Sequence, residues 1–217
     1  MRSATAVLLI ALFAAPVAAG TVRGSIKVPA APTEEVRFRP YAGRASSLPA
    51  PARTPHGLVT DAVVYAESLP ADATIEPHGP KPQLAQRDQS FDPRVVVVPA
   101  GGTVEFPNFD PIYHNVFSVS PNRRFDLGKY PRGQSRSVVF SRPGLVNVFC
   151  DIHADMAAFI LVVPNAAWAR PGPDGRFELS GLPAGHYKLR WWHPDFPPGE
   201  STVDVPDGGD VALDVSF

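Results

Sequence analysis

Proline occupies 26 of the 217 positions and glycine another 17. About a fifth of the chain is therefore drawn from the two residue types that helix interiors tolerate worst: proline lacks an N–H and clashes with the preceding turn, and glycine loses the most backbone entropy. A helical bundle is excluded, and a turn-rich all-β architecture remains. The apolar fraction is 44%, enough for a packed core and too high for a disordered chain. With 20 Lys and Arg against 21 Asp and Glu, the chain lacks the basic excess of a nucleic-acid-binding protein. The length suits one domain or one and a half.

Residues 1–19 read as a signal peptide. Met1-Arg2 give a positive start, Ala4 to Ala15 an apolar run, and Val17-Ala18-Ala19 small residues for cleavage before Gly20. The run falls short of the roughly 20 residues a membrane-spanning helix needs, no later stretch approaches that length, and no Cys follows it to take a lipid. The expectation is an exported, soluble, periplasmic protein; a retained N-terminal anchor is the alternative. Export leaves one cysteine, Cys150, and one methionine, Met156. Exported proteins normally pair their cysteines, so a lone thiol is either a buried inert residue, an intermolecular disulfide partner or a metal ligand.

Along the chain, residues 21–28 and 58–68 read as strands, separated by a Pro-, Ala- and Arg-rich loop from Ala30 to Pro55. Ala71 to Gln89 reads as another loop. Strand signals then become dense: Arg94–Val98, Thr103–Phe106, Asn115–Val119, Ser137–Phe140, Leu145–Phe149 and Ala158–Val163. With the two early strands this makes eight, the number of a Greek-key sandwich or barrel. Beyond Pro164 the pattern restarts. Phe177 and Leu179 alternate, Tyr187, Leu189 and Trp191 share a face, and Val211, Leu213, Val215 and Phe217 alternate strictly. A tail of this length is marginal as an independent core, so it should pack on, or exchange strands with, the larger unit.

Cys150, His153 and Met156 lie within seven residues, and His114 stands where the loop Asn108–Tyr113 enters a strand. One thiolate, two imidazoles and a weak thioether are the donor set of a blue-copper electron-transfer site: sulfur suits Cu(I), imidazole suits both oxidation states, and a compromise geometry limits rearrangement when one electron moves. A turn between two strand ends can bring positions 150, 153 and 156 together, with His114 arriving from a neighbouring strand. Taken singly, Cys150 in phase with Val146 and Val148 reads as core, Met156 as gap filler and His114 as a structural histidine. His56 and His78, in proline-flanked loops, read as solvated, and nothing around His186 or His193 shows ligand spacing.

The Cys-x2-His-x2-Met loop with His114-Asn115 upstream resembles the cupredoxins, most closely amicyanin and less so plastocyanin and pseudoazurin. The similarity runs from Phe91 to Val163 through Pro99-Ala-Gly-Gly-Thr-Val-Glu-Phe106, Asn108-x5-His114-Asn115-Val116 and Pro143-Gly144-x4-Phe149-Cys150. It implies a cupredoxin Greek-key β-sandwich over 86–164 holding one type 1 copper. His114, Cys150 and His153 would form the trigonal plane, Met156 the long axial ligand, and Asn115 would tie the ligand loops together and help fix the sulfur. The chain departs from the pattern in carrying Ala154-Asp155 where many members have proline. The segment 165–217 resembles the carboxypeptidase-regulatory type of small, Ig- or prealbumin-like β-sandwich through Asp174–Leu179 and Leu182–Tyr187. Gly24-Ser25-Ile26 and Ala62–Tyr65 resemble that module's opening strands, so residues 20–85 would pair with the tail and the copper unit would be inserted between them. The combination is similar to periplasmic proteins grouped under methylamine utilisation.

Gly133-Gln134-Ser135-Arg136-Ser137 lacks the last glycine of a nucleophile elbow, and no glycine-rich phosphate loop opens a helix. The reading is therefore an electron carrier, not an enzyme. Its partners would be redox proteins such as a c-type cytochrome or a periplasmic dehydrogenase, with Ala154, Met156, Ala157 and Pro111 around the His153 edge and Arg123, Arg124, Asp151 and Asp155 biasing partner choice. Its rivals are a copper carrier or buffer without an electron-transfer role and a metal-free scaffold.

Overall fold

The computed structural model describes residues 19–29, 58–71 and 73–217. The expected signal segment up to residue 18, the loop from Ala30 to Pro55, and His56 lie outside the described residues. Among those described there is no α-helix, only one 3-10 turn at Val59–Asp61, and no helix is long and apolar enough to cross a membrane. The all-β expectation holds. The strands are β1 (Gly20–Lys27), β2 (Val63–Ala66), β3 (Ala85–Arg87), β4 (Ser90–Asp92), β5 (Val95–Pro99), β6 (Gly102–Pro107), β7 (His114–Ser118), β8 (Phe125–Tyr130), β9 (Ser135–Phe140), β10 (Gly144–Phe149), β11 (Ala157–Val163), β12 (Trp168–Ala169), β13 (Arg176–Leu182), β14 (Gly185–His193), β15 (Phe196–Val205), β16 (Asp210–Ala212) and β17 (Val215–Ser216).

The strands form layers whose apolar seams follow from period-2 alternation. One sheet runs β5-β11-β10-β7-β8 and faces the β6–β9 pair and the β3–β4 hairpin. The seam between them is built from Val96, Val98, Val104, Phe106, Val116, Val146, Val148 and Ile160, among others. A second sandwich sets β13-β1-β16, with β17 also on β1, against β12-β2-β14-β15. Its core draws on Val22, Ile26, Val64, Phe177, Leu179, Tyr187, Leu189 and Trp191. The chain leaves this second unit after β2 and returns to it at β12.

A third seam joins the units. Val95, Val97, Leu161 and Val163 cluster with Val63, and Tyr65, Phe159, Trp168 and Trp192 pack around them. The run Val95–Val98 is apolar throughout because β5 is buried on both faces and pairs in parallel with β11, the setting in which alternation disappears. Polar contacts fix the same junction. The Arg94 guanidinium donates to Asp61 at 3.1 Å and to Asp195 at 2.6 and 2.8 Å. His193 is satisfied in its neutral form: Nε2–H donates to the Leu58 carbonyl at 3.0 Å, and Nδ1 accepts from the Asp195 N–H at 3.1 Å.

Several strands depart from the sequence reading. The expected loop Ala71–Gln89 contains β3, which forms a hairpin with β4; its polar Gln-Arg sequence shows no alternation, and Leu84 and Phe91 supply the burial. β15 begins Phe196-Pro197-Pro198-Gly199, a breaker-rich stretch tolerated because it lies at a sheet edge, where a missing N–H costs no ladder bond. The expected single strand Val211–Phe217 is two short ones, β16 and β17, each parallel to β1. Between them the Asp214 carboxylate takes the Ser25 N–H and hydroxyl at 2.8 and 2.7 Å, replacing a ladder carbonyl. A Cβ at Gly24 would stand 1.7 Å from the Leu213 carbonyl oxygen, so only glycine lets the chain pass that close.

Two outcomes are expected. Leu161→Ala, in the seam between units, should cost about 2–5 kcal/mol and shift one cooperative unfolding transition by calorimetry; two separated transitions would mean the seam does not couple the units. Burial holds the His193 pKa below the ordinary imidazole range despite the help of the Leu58 carbonyl and nearby carboxylates. As pH falls through about 6.5, the unfolded chain takes up a proton that the native state refuses, so stability falls. The stability advantage of wild type over His193→Gln should therefore shrink between pH 8 and pH 5 in urea titrations.

Candidate metal centre

His114 opens β7, and Cys150 follows the last residue of β10. The two strands are antiparallel, with Phe149 opposite Phe117, which carries both residues to the same end of the sheet. The turn between β10 and β11 is closed by the main chain: Met156 N–H donates to the His153 carbonyl at 3.1 Å, and Cys150 N–H to the Met156 carbonyl at 3.3 Å. His153 is thereby folded back over Cys150. Met156 is 1% exposed and belongs to the same apolar cluster as Cys150.

His114, Cys150 and His153 present one nitrogen or sulfur atom each, all within 4.8 Å of one another. His114 Nδ1 lies 3.2 Å from His153 Nδ1 and 3.9 Å from Cys150 Sγ. Two nitrogens bound about 2.0–2.1 Å from one ion at tetrahedral or trigonal angles stand roughly 3.3–3.6 Å apart, so the spacing fits a shared cation. The far side of His114 is occupied, since Nε2 meets Asp110 Oδ2 at 2.7 Å. In the tautomer that donates Nε2–H to the carboxylate, the neutral ring that binds a metal would turn its Nδ1 lone pair toward the other two donors.

The electrostatics prepare the same donors. Burial alone would raise the Cys150 pKa, but the contact with His114 and the backbone N–H groups of Asn115, His153 and Ile152 bring it below the usual thiol range. Burial also disfavours a charged His114, yet the sulfur and the Asp110 carboxylate outweigh it and raise its pKa. His153 is held low, by burial first and by His114 second, which keeps its lone pair available. A thiol held below its usual range beside two imidazoles is a soft donor set that suits copper.

Asp110 and Asn108 escaped the sequence reading as functional residues. Asn108, fully buried, donates to the carbonyls of Ile112 and Tyr130 at 2.9 and 3.0 Å and accepts the Asp110 N–H at 2.9 Å. It shapes the loop that delivers His114. Tyr130 Oη in turn donates to the Phe106 carbonyl at 2.8 Å. The Asn108-x5-His114 spacing was the one visible signal of this loop; a carboxylate in a loop ahead of a strand has no periodicity to reveal it.

The main-chain N–H of Asn115 helps lower the Cys150 pKa, while its side chain donates to Asp126 on β8 at 2.7 Å and its Oδ1 has no hydrogen-bond partner. Arg123 and Arg124 do not flank the site: they sit in the β7–β8 turn, beyond the Ser118 end of β7, and line a hollow with Arg142 from the β9–β10 turn. Of the expected apolar collar, Met156 is buried, Ala157 is half-buried, and Ala154 and Pro111 are exposed; the large exposed apolar residues of the donor-bearing loops are Phe109, Ile112, Tyr113 and Ile152. Of the other histidines, His78 stacks on Trp168 with ring centroids 4.8 Å apart, His186 pairs with Asp204 on the surface, and His193 belongs to the junction.

No protein-family model matches the chain, and no curated protein matches its sequence. Among solved structures it is similar to a purple cupredoxin from Nitrosopumilus maritimus, at 22% identity over 37% of this chain and 98% of that one, TM-score 0.35. An amicyanin from Paracoccus versutus shares 20% identity over 46% of this chain and 96% of its own, TM-score 0.34. A copper-containing nitrite reductase from Thermus scotoductus is 26% identical over 44% of this chain, TM-score 0.36, and only 25% of that chain is spanned. Each likeness covers less than half of the present chain.

Asn108→Ala removes three hydrogen bonds made by a fully buried side chain and should cost about 1–3 kcal/mol, read as a lower urea midpoint, together with weaker metal uptake. Unchanged uptake would show that His114 does not depend on that loop.

Proposed function

We propose that this chain is a type 1 copper protein that carries single electrons between redox partners. His114, Cys150 and His153 would hold the ion, with Met156 as a weak fourth donor. The reading rests on one observation, the meeting of two Nδ1 atoms and a thiolate-prone sulfur at one buried strand end, and the Cys-x2-His-x2-Met resemblance supports it. When bound, copper supplies the one-electron change between Cu(I) and Cu(II).

The chain supplies the rest. Asp110 holds His114, the closed 150–156 turn holds His153, and Cys150 is fully buried at the end of β10, so the donors have little freedom to rearrange. His114 and Cys150 are dry, whereas His153 is half-buried and stands nearest to solvent. Exposed Phe109, Ile112, Tyr113 and Ile152 on the same two loops give an apolar rim suited to brief, small-area encounters. Residence in the periplasm, with a c-type cytochrome or a periplasmic dehydrogenase as partner, belongs to the same proposal and is supported by the reading of residues 1–19. The likeness of the second sandwich to carboxypeptidase-regulatory modules is likewise a proposal, supported by Asp174–Leu179 and Leu182–Tyr187.

Cys150→Ser should abolish intense visible thiolate-to-copper absorption after Cu(II) is added, and persistence of the colour would overturn the assignment. A reversible one-electron wave from the wild-type protein supports electron transfer; rapid loss of copper to a chelator, without such a wave, would favour a carrier or buffer.

A further inference from the structure

The Asp110 carboxylate receives three N–H donors on two oxygens. The Asp88 N–H reaches Oδ1 at 2.6 Å, the Gln89 N–H reaches Oδ2 at 2.9 Å, and His114 Nε2 meets Oδ2 at 2.7 Å. Asp88 and Gln89 form the two-residue turn of the β3–β4 hairpin, and both have positive φ, 52° and 56°. Such a turn normally selects Asn-Gly, and non-glycine residues held there store strain. Here the left-handed pair aims two consecutive amides at one carboxylate, as an anion-binding nest does. The Asp110 side chain is 7% exposed, and the residue's main-chain N–H is tied to Asn108 Oδ1 at 2.9 Å.

We infer that Asp110 is a positioning residue, clamped by the β3–β4 turn, that fixes the His114 ring with Nδ1 toward Cys150 and His153 and biases the site toward the more highly charged, oxidised ion. The inference rests on the copper reading above. A carboxylate behind a ligating imidazole sets the tautomer and raises the donor strength of the opposite nitrogen. Its charge stabilises Cu(II) more than Cu(I), which lowers the reduction potential. An amide cannot substitute fully: Asn offers one acceptor oxygen to three donors, and its NH2 would face a backbone N–H.

The test uses Asp110→Asn and Asp110→Ala in the full chain. In metal-free protein, hydrogen exchange at the Asp88 and Gln89 amides should be slow in the wild type and markedly faster in D110A; equal rates would overturn the clamp. With copper, D110N should keep the thiolate-to-copper absorption but show a higher reduction potential, a change that a purely structural role would not produce. D110A should bind Cu(II) about 10–100-fold more weakly. Intact absorption with unmoved potential in D110N and wild-type affinity in D110A would sink this inference alone. A wild-type protein without that absorption would sink the copper reading, and the potential shift with it, while the exchange measurement still decides the clamp.

Discussion

The β10–β11 hairpin is paired without a break from Gly144 opposite Val162 to Phe149 opposite Ala157, and the sheet that contains it is packed on both faces. A slip of one residue would exchange Ile160 and Val162, which face the first core, with Leu161 and Val163, which face the second unit. Such a slip reverses every side chain in the hairpin and would take buried residues out of both seams. Register is thus set by burial rather than by the turn. Cys150 then has one place to be, the end of β10, and the turn that follows has one path back into β11.

A buried thiol beside two buried imidazoles is costly unless its surroundings compensate. Main-chain N–H groups do so for Cys150, and a carboxylate does so for His114. Both devices come from segments whose own structure is secured elsewhere: Ile152 and His153 from the closed turn, Asn115 from a paired strand, Asp110 from a loop that buried Asn108 pins. The support reaches beyond the donor-bearing sheet through the β3–β4 turn, which makes a polar hairpin with little core of its own part of the site.

The donors were legible because their chemistry is rare in this chain: a single cysteine, and a single methionine beyond Met1, at a spacing a single turn can close. Chemical identity and order survive in a linear sequence. The supports were less legible. Asp110 reaches Asp88 and Gln89 across more than 20 positions by a tertiary contact, and no period or motif marks it. β3 was hidden by polar residues, β15 by its prolines, and the split between β16 and β17 by Asp214 standing in for a strand. In each case a side chain or a sheet edge did what periodicity assigns to backbone ladders. Arg123 and Arg124 show the converse error: they were expected near the site as charges biasing partner choice, but a strand that starts at the donors carries its next turn to the far end.

The second sandwich bears on function through stiffness. Leu161, Val163, Val95 and Val97 would form an exposed apolar face without it; with Val63, Tyr65, Trp168 and Trp192 laid against them, that face becomes interior. Closely packed interiors resist small displacements, and the strand so buried, β11, is the partner that fixes β10 and therefore Cys150. Arg94, bonded to both Asp61 and Asp195, ties the same junction through charge. Under the proposed one-electron role, such a site gains from donors that stay where they are in both states. In this chain that immobility is supplied at the end of one sheet by the Asp110 loop and the closed turn, and against its back by a second folded unit.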